Sequence, residues 1–104
     1  MDRIEKLNGF LKDSPEDSFL QHALALEYIK INNDNAAREL FEAILNREPG
    51  YVGSYYHLAK LLERAGDING AMAVYERGMD AAKKAGDKHA YNELQMAKED
   101  VEES

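Results

Sequence analysis

The chain has 104 residues, 44% of them apolar and 32% charged, which is the composition of one modest globular domain rather than of a disordered or membrane-spanning segment. Thirteen Lys and Arg against 20 Asp and Glu give a formal net charge of −7, a field that repels a phosphate backbone and argues against nucleic-acid binding. Zero Cys excludes disulfide and thiolate chemistry, and no apolar run approaches the roughly 20 residues of a transmembrane helix. The N-terminus Met1-Asp2-Arg3-Ile4-Glu5 lacks the basic-then-apolar layout of a signal peptide, so the cytoplasm is the expected compartment.

Helical periodicity runs almost from end to end, and nothing reads as a strand. Ile4, Leu7, Phe10 and Leu11 fall on one side of a short first helix, which Gly9 weakens by about 1 kcal/mol. Lys12-Asp13-Ser14-Pro15 then supplies a stop and a restart, with Asp13 or Ser14 expected as N-cap of a second helix from about Pro15 to Ile31. Its core stripe reads Leu20, Leu24, Ala25, Tyr28 and Ile31, while Phe19, Leu26 and Ile29 lie off it. Asn32-Asn33-Asp34-Asn35 breaks the pattern, because Asn tolerates the left-handed backbone that ends one helix and Asn or Asp caps the next.

The third helix, Ala36 to Arg47, turns Leu40, Phe41, Ile44 and Leu45 inward and ends at Glu48-Pro49-Gly50. The fourth, about Tyr51 to Ala65, carries Tyr55, Leu58, Ala59 and Leu62 on its stripe. Gly66 closes it and Asp67 caps a fifth helix, Ile68 to Ala85, which packs through Ala71, Val74, Tyr75 and Met79, with Gly78 permitting close approach. Ala85-Gly86-Asp87 repeats the Ala65-Gly66-Asp67 punctuation and opens a last helix with Ala90, Leu94, Ala97 and Val101 in helical register.

One pattern occurs twice, 34 residues apart: Leu24-Ala25-x2-Tyr28 … Ala37-x3-Phe41 and Leu58-Ala59-x2-Leu62 … Ala71-x3-Tyr75. The two prolines, Pro15 and Pro49, keep the same spacing. These stretches resemble the tetratricopeptide repeat, whose motif W-x2-L-G-x2-Y … A-x3-F … P puts small residues where two helices touch and large ones in the gap between repeats. Leu24, Ala25, Tyr28, Ala37, Phe41 and Pro49 match in the first repeat, whereas Gln21 stands at the tryptophan position. In the second, Leu58, Ala59 and Ala71 match, Tyr55 and Tyr75 are aromatic stand-ins, Leu62 replaces the tyrosine, and Lys83 stands where the closing proline would be.

The resemblance implies an all-α fold of stacked antiparallel helix pairs, an α-α superhelix of about six helices. Its divisions are an N-terminal half-repeat helix (1–14), two repeats (15–50 and 51–86) and a C-terminal capping helix (87–104). It further implies a concave groove lined by the first helix of each pair. Carried over by register, the groove presents His22, Leu26, Ile29 and Lys30 from one repeat and Tyr56, Lys60 and Arg64 from the next. An apolar end and a basic end inside an acidic chain suit a short peptide or partner protein with an acidic group and apolar anchors. The alternative is a structural homo-oligomer that covers Phe19, Leu26, Ile29 and Tyr56 with a copy of itself.

Against the groove stands the plain reading of Lys60 and Arg64, with Glu63 between them, as a solvated helix face. His22 and His57 lie on first helices, yet no His-x3-His pair and no Cys accompanies them, so no metal or other cofactor is expected. Gly-rich phosphate loops and nucleophile-base pairs at fixed spacing are also missing, and a non-catalytic protein-interaction module is the expectation. Some tetratricopeptide domains grip the terminal carboxylate of chaperone tails with Lys and Asn on their first helices; His22, Leu26 and His57 occupy those places here.

Overall fold

The structure, a computed structural model, describes residues 2–104; residue 1, the start of the expected half repeat, lies outside them. Six helices follow in order: α1 (Arg3–Asp13), α2 (Ser18–Lys30), α3 (Asp34–Arg47), α4 (Gly53–Arg64), α5 (Ile68–Ala85) and α6 (Lys88–Glu102). No strand occurs among the described residues. The chain divides into two compact units, one reaching to Glu48 and the other running from Pro49 to Ser104.

Local chemistry sets the helix ends. Asp2, Asp17, Asn33, Asp67 and Asp87 each accept a backbone N–H three residues on, which satisfies one orphan donor of the following first turn. Each cap stabilises its helix by about 1 kcal/mol. Asn32 at φ 62°, Gly66 at φ 83° and Gly86 at φ 71° supply the left-handed residues that end α2, α4 and α5. The restart at Pro15 differs from the sequence expectation. Ser14 closes α1 through its N–H to Phe10 O, Pro15 and Glu16 form a turn, and Asp17 rather than Asp13 or Ser14 caps α2. Likewise α4 begins at Gly53 without a side-chain cap, since the Tyr51 and Val52 carbonyls accept the first bonds in tight i+3 geometry.

In the first unit α2 packs on both α1 and α3. Leu7, Leu24, Ala25, Ala37, Phe41, Ile44 and Leu45 are buried there. Ile31, expected on the core stripe, is 59% exposed because it lies past the helical run as the α2 C-cap. Gln21 is buried and donates to the Pro15 carbonyl at 3.2 Å. Tyr55, one period later, donates its hydroxyl to the Pro49 carbonyl in the same relation. The departure at the tryptophan position is thus a replacement of an aromatic anchor by an amide that ties down the same turn. Arg47 completes it: its Nη2 donates to Gln21 Oε1 and to Ser18 Oγ, each at 2.7 Å, while Ser18 donates to Glu48 Oε1 at 2.7 Å.

In the second unit α5 packs on both α4 and α6. Tyr55, Leu58, Ala59, Leu61, Leu62, Ala71, Val74, Tyr75, Ala82, Leu94 and Ala97 form its core. Gly78 is the point of closest approach: a Cβ there would lie 2.7 Å from Tyr55 Cβ and 3.0 Å from Leu94 Cδ1. Leu24 and Leu58, the paired leucines of the repeat, are each 3% exposed.

Candidate functional site

A helix that buries one stripe against its neighbours leaves the opposite stripe for other molecules. On α2 that stripe contains His22, Leu26 and Ile29, all half-buried, and the exposed Lys30. The His22 ring meets Phe41 edge-on at 5.4 Å, so it also props the core. Lys30 Nζ lies 2.9 Å from Glu27 Oε2, and Arg3 Nε approaches the same oxygen at 3.6 Å.

On α4 the stripe holds Tyr56 and Lys60, both half-buried, and the exposed Arg64. Lys60 Nζ stands 5.6 Å from the Tyr56 ring centroid, within cation–π range, and 3.5 Å from Glu63 Oε2. That oxygen also accepts the hydroxyl proton of Tyr75, whose ring is fully buried. Burial, then the hydrogen bond and charge of Glu63, push the Tyr75 phenol well above its ordinary pKa. His57 packs edge-on to Tyr56 at 5.6 Å; burial lowers its pKa and the Glu93 charge on α6 partly offsets this.

The cations stand on exposed or half-exposed helix positions; Glu63, which the sequence sets between Lys60 and Arg64, is joined here by Glu27 beside Lys30. Glu27 and Glu63 sit three residues from Lys30 and Lys60, a spacing that brings side chains together on a helix. The cations of these pairs keep more contact with water than their carboxylates do, and Glu63 is further held by Tyr75. The faces are therefore apolar and aromatic with balanced rather than bare charge.

A further contribution comes from α6, which sequence reading treated as a terminal helix alone. Tyr91-x2-Leu94 repeats Tyr55-x2-Leu58 at a spacing of 36 rather than 34 (55 to 91, 58 to 94). In this shifted register Asn92 and Met96 follow Tyr56 and Lys60, and Met96 is 67% exposed. Where α2 and α4 have the buried Ala25 and Ala59, α6 has Gln95; where they have Tyr28 and Leu62, it has Lys98, paired with Glu76 and Glu102. That side of α6 is made for water.

Among the described residues no group of three or more His, Cys, Asp or Glu is placed to hold a metal ion, and no helix is long and apolar enough to cross a membrane.

Helix pairs of fixed period, with small residues at the crossings, define a helical-repeat interaction domain. The chain belongs to the tetratricopeptide repeat family: the family model matches residues 32–98, more than half of its length. It is similar to a crystallised tetratricopeptide repeat domain protein of Salinibacter ruber, with 41% identity, coverage of 83% of this chain and 96% of that one, and a TM-score of 0.80. A solution structure from Bordetella parapertussis is 27% identical, with coverage of 99% and 90% and a TM-score of 0.85. A TPR repeat-containing protein of Pseudomonas aeruginosa is 29% identical over 91 residues, 88% of this chain and 87% of that protein. Domains of this family are protein–protein interaction modules.

Proposed function

We propose that this protein is a non-catalytic module that captures a peptide or partner protein along its first helices. The contacting residues are His22, Leu26, Ile29 and Lys30 on the first unit and Tyr56, Lys60 and Arg64 on the second. The observation that carries the reading is Lys60, held over the Tyr56 ring and beside Glu63. A partner carboxylate reaches Lys60 from its water-facing side, while Leu26 and Ile29 receive an apolar side chain. The test is affinity capture from the native cell extract with the parent chain and with Lys60→Glu plus Arg64→Glu. The variant should keep its helical circular dichroism and lose the partner; equal capture by both proteins refutes the assignment.

A second reading rests on Phe19, which is 72% exposed on the first turn of α2. With Leu26, Ile29 and Tyr56 it would serve a homo-oligomer, in which case sedimentation shows a concentration-dependent dimer that Phe19→Ser abolishes.

A further inference from the structure

The corner between α5 and α6 carries a second binding feature, built by a departure from the repeat. With Lys83 at the position of a closing proline, nothing interrupts the helix, and α5 runs to 18 residues where α3 has 14. The added turn, the left-handed Gly86 and the first turn of α6 line an open surface pocket of about 310 Å³. Ala82, Gly86 and the half-buried Tyr91 form its mostly apolar wall, with Lys83 and Lys88 at the rim beside Asp87 and Asn92.

The polar groups at this corner are unspent. Among the described residues Lys83 and Lys88, like Lys6, Lys12 and Lys84, form no ion pair, whereas Lys30, Lys60, Lys98, Arg3, Arg38 and Arg47 each face a carboxylate. In a chain with 20 acidic and 13 basic residues, two lysines against the single carboxylate of Asp87 leave this pocket with a net positive lining. The Tyr91 hydroxyl and the Asn92 carboxamide make no hydrogen bond within the described chain. Asp87 spends Oδ1 on the Ala90 N–H at 3.0 Å and keeps Oδ2 as an open acceptor.

We infer that this corner binds an acidic linear peptide, seating one apolar side chain in the pocket with carboxylates on either side. The pocket lies at the small end of ligand sites, which suits a single aliphatic or aromatic side chain. Lys83 and Lys88 receive the flanking carboxylates, and Asp87 Oδ2 accepts a backbone N–H of the peptide. That acceptor distinguishes a peptide from a fatty acid, which has an apolar tail and a carboxylate but no amide donor. This corner shares no residue with the inner faces of α2 and α4, so the two assignments stand or fall separately.

The test is fluorescence anisotropy with the full chain and a labelled peptide, Glu-Glu-Leu-Glu-Glu, at low salt. Its comparison is the same peptide with Ser for Leu. Binding should weaken about tenfold with the Ser peptide and about tenfold in Lys83→Gln plus Lys88→Gln, and should be unchanged in Lys60→Glu plus Arg64→Glu. Both lysines are exposed and unpaired, so the double Gln variant keeps the parent melting curve. Undetectable binding at millimolar peptide, equal binding by the double Gln variant, loss in the α4 variant instead, or binding of decanoate without the peptide would each overturn the inference.

Discussion

Gly78 and Gly9 both lie inside helices, yet alanine at the two positions should move stability in opposite directions. In a helix interior Gly→Ala gains about 1 kcal/mol, because alanine has less backbone freedom to lose. At Gly9 in α1 a new Cβ meets nothing within 4 Å, so Gly9→Ala should show most of that gain. At Gly78 in α5 the same methyl lies 2.7 Å from Tyr55 Cβ and 3.0 Å from Leu94 Cδ1, inside the 3.5–4.0 Å optimum for two carbons. Leu94 can rotate its methyl aside, but Tyr55 Cβ is fixed to the α4 backbone and yields only if the helix moves. Overpacking of this kind costs about 1–3 kcal/mol, and a contact this short with an atom fixed to the backbone belongs in the upper part of that range, so net of the propensity gain Gly78→Ala is less stable by up to about 2 kcal/mol. Urea unfolding followed by circular dichroism at helical wavelengths reads both. With a slope of about 1–2 kcal/mol per molar, the two midpoints should lie on opposite sides of the parent. A Gly78→Ala midpoint at or above that of the parent would show that α4 and α6 do not meet α5 at this glycine.

Arg47→Ala should cost about 1–3 kcal/mol, since it leaves the buried Gln21 Oε1 without its donor, and thermal melting monitored by circular dichroism reads the loss. Tyr75→Phe should cost about 1 kcal/mol at neutral pH through the lost bond to Glu63. It should also change the alkaline limb. Because the native phenol is held above its unfolded value, its stabilisation is complete below pH about 10 and is lost as the pH rises beyond that, so Tyr75→Phe should flatten the decline in urea midpoint there. His57 has the opposite sign. Its native pKa lies below 6.5, so its stabilisation is present above that pH and is lost on acidification, and His57→Gln should reduce the fall in melting temperature between pH about 7 and 5.

The architecture was legible because several independent signals agreed: the 34-residue spacing, the alanines at 25, 37, 59 and 71, and the Gly66-Asp67 and Gly86-Asp87 punctuation. All four of those alanines are fully buried, the places where only a small residue lets two helices touch. The start of α2 was misread because Pro15 suits a first helical turn as well as a preceding β-turn, and only the Asp17 carboxylate on Leu20 N–H decides between them. Gln21 read as a lost motif residue, since its role depends on Arg47, which is remote in sequence and joined to it only by folding. The candidate faces were legible as positions and not as electrostatics. Pairing of Lys60 with Glu63 depends on rotamers that a one-dimensional pattern leaves open. The role of α6 was hidden by its two-residue phase shift from the 34-residue period.

The central claim is that partners are taken on the first helices. Backbone amide shifts of the isotope-labelled chain, recorded by NMR as the captured partner is added, test it most directly. Changes should cluster at His22, Leu26, Ile29, Lys30, Tyr56, Lys60 and Arg64. Changes confined to α3 and α5, with those seven amides unmoved at saturation, would contradict it.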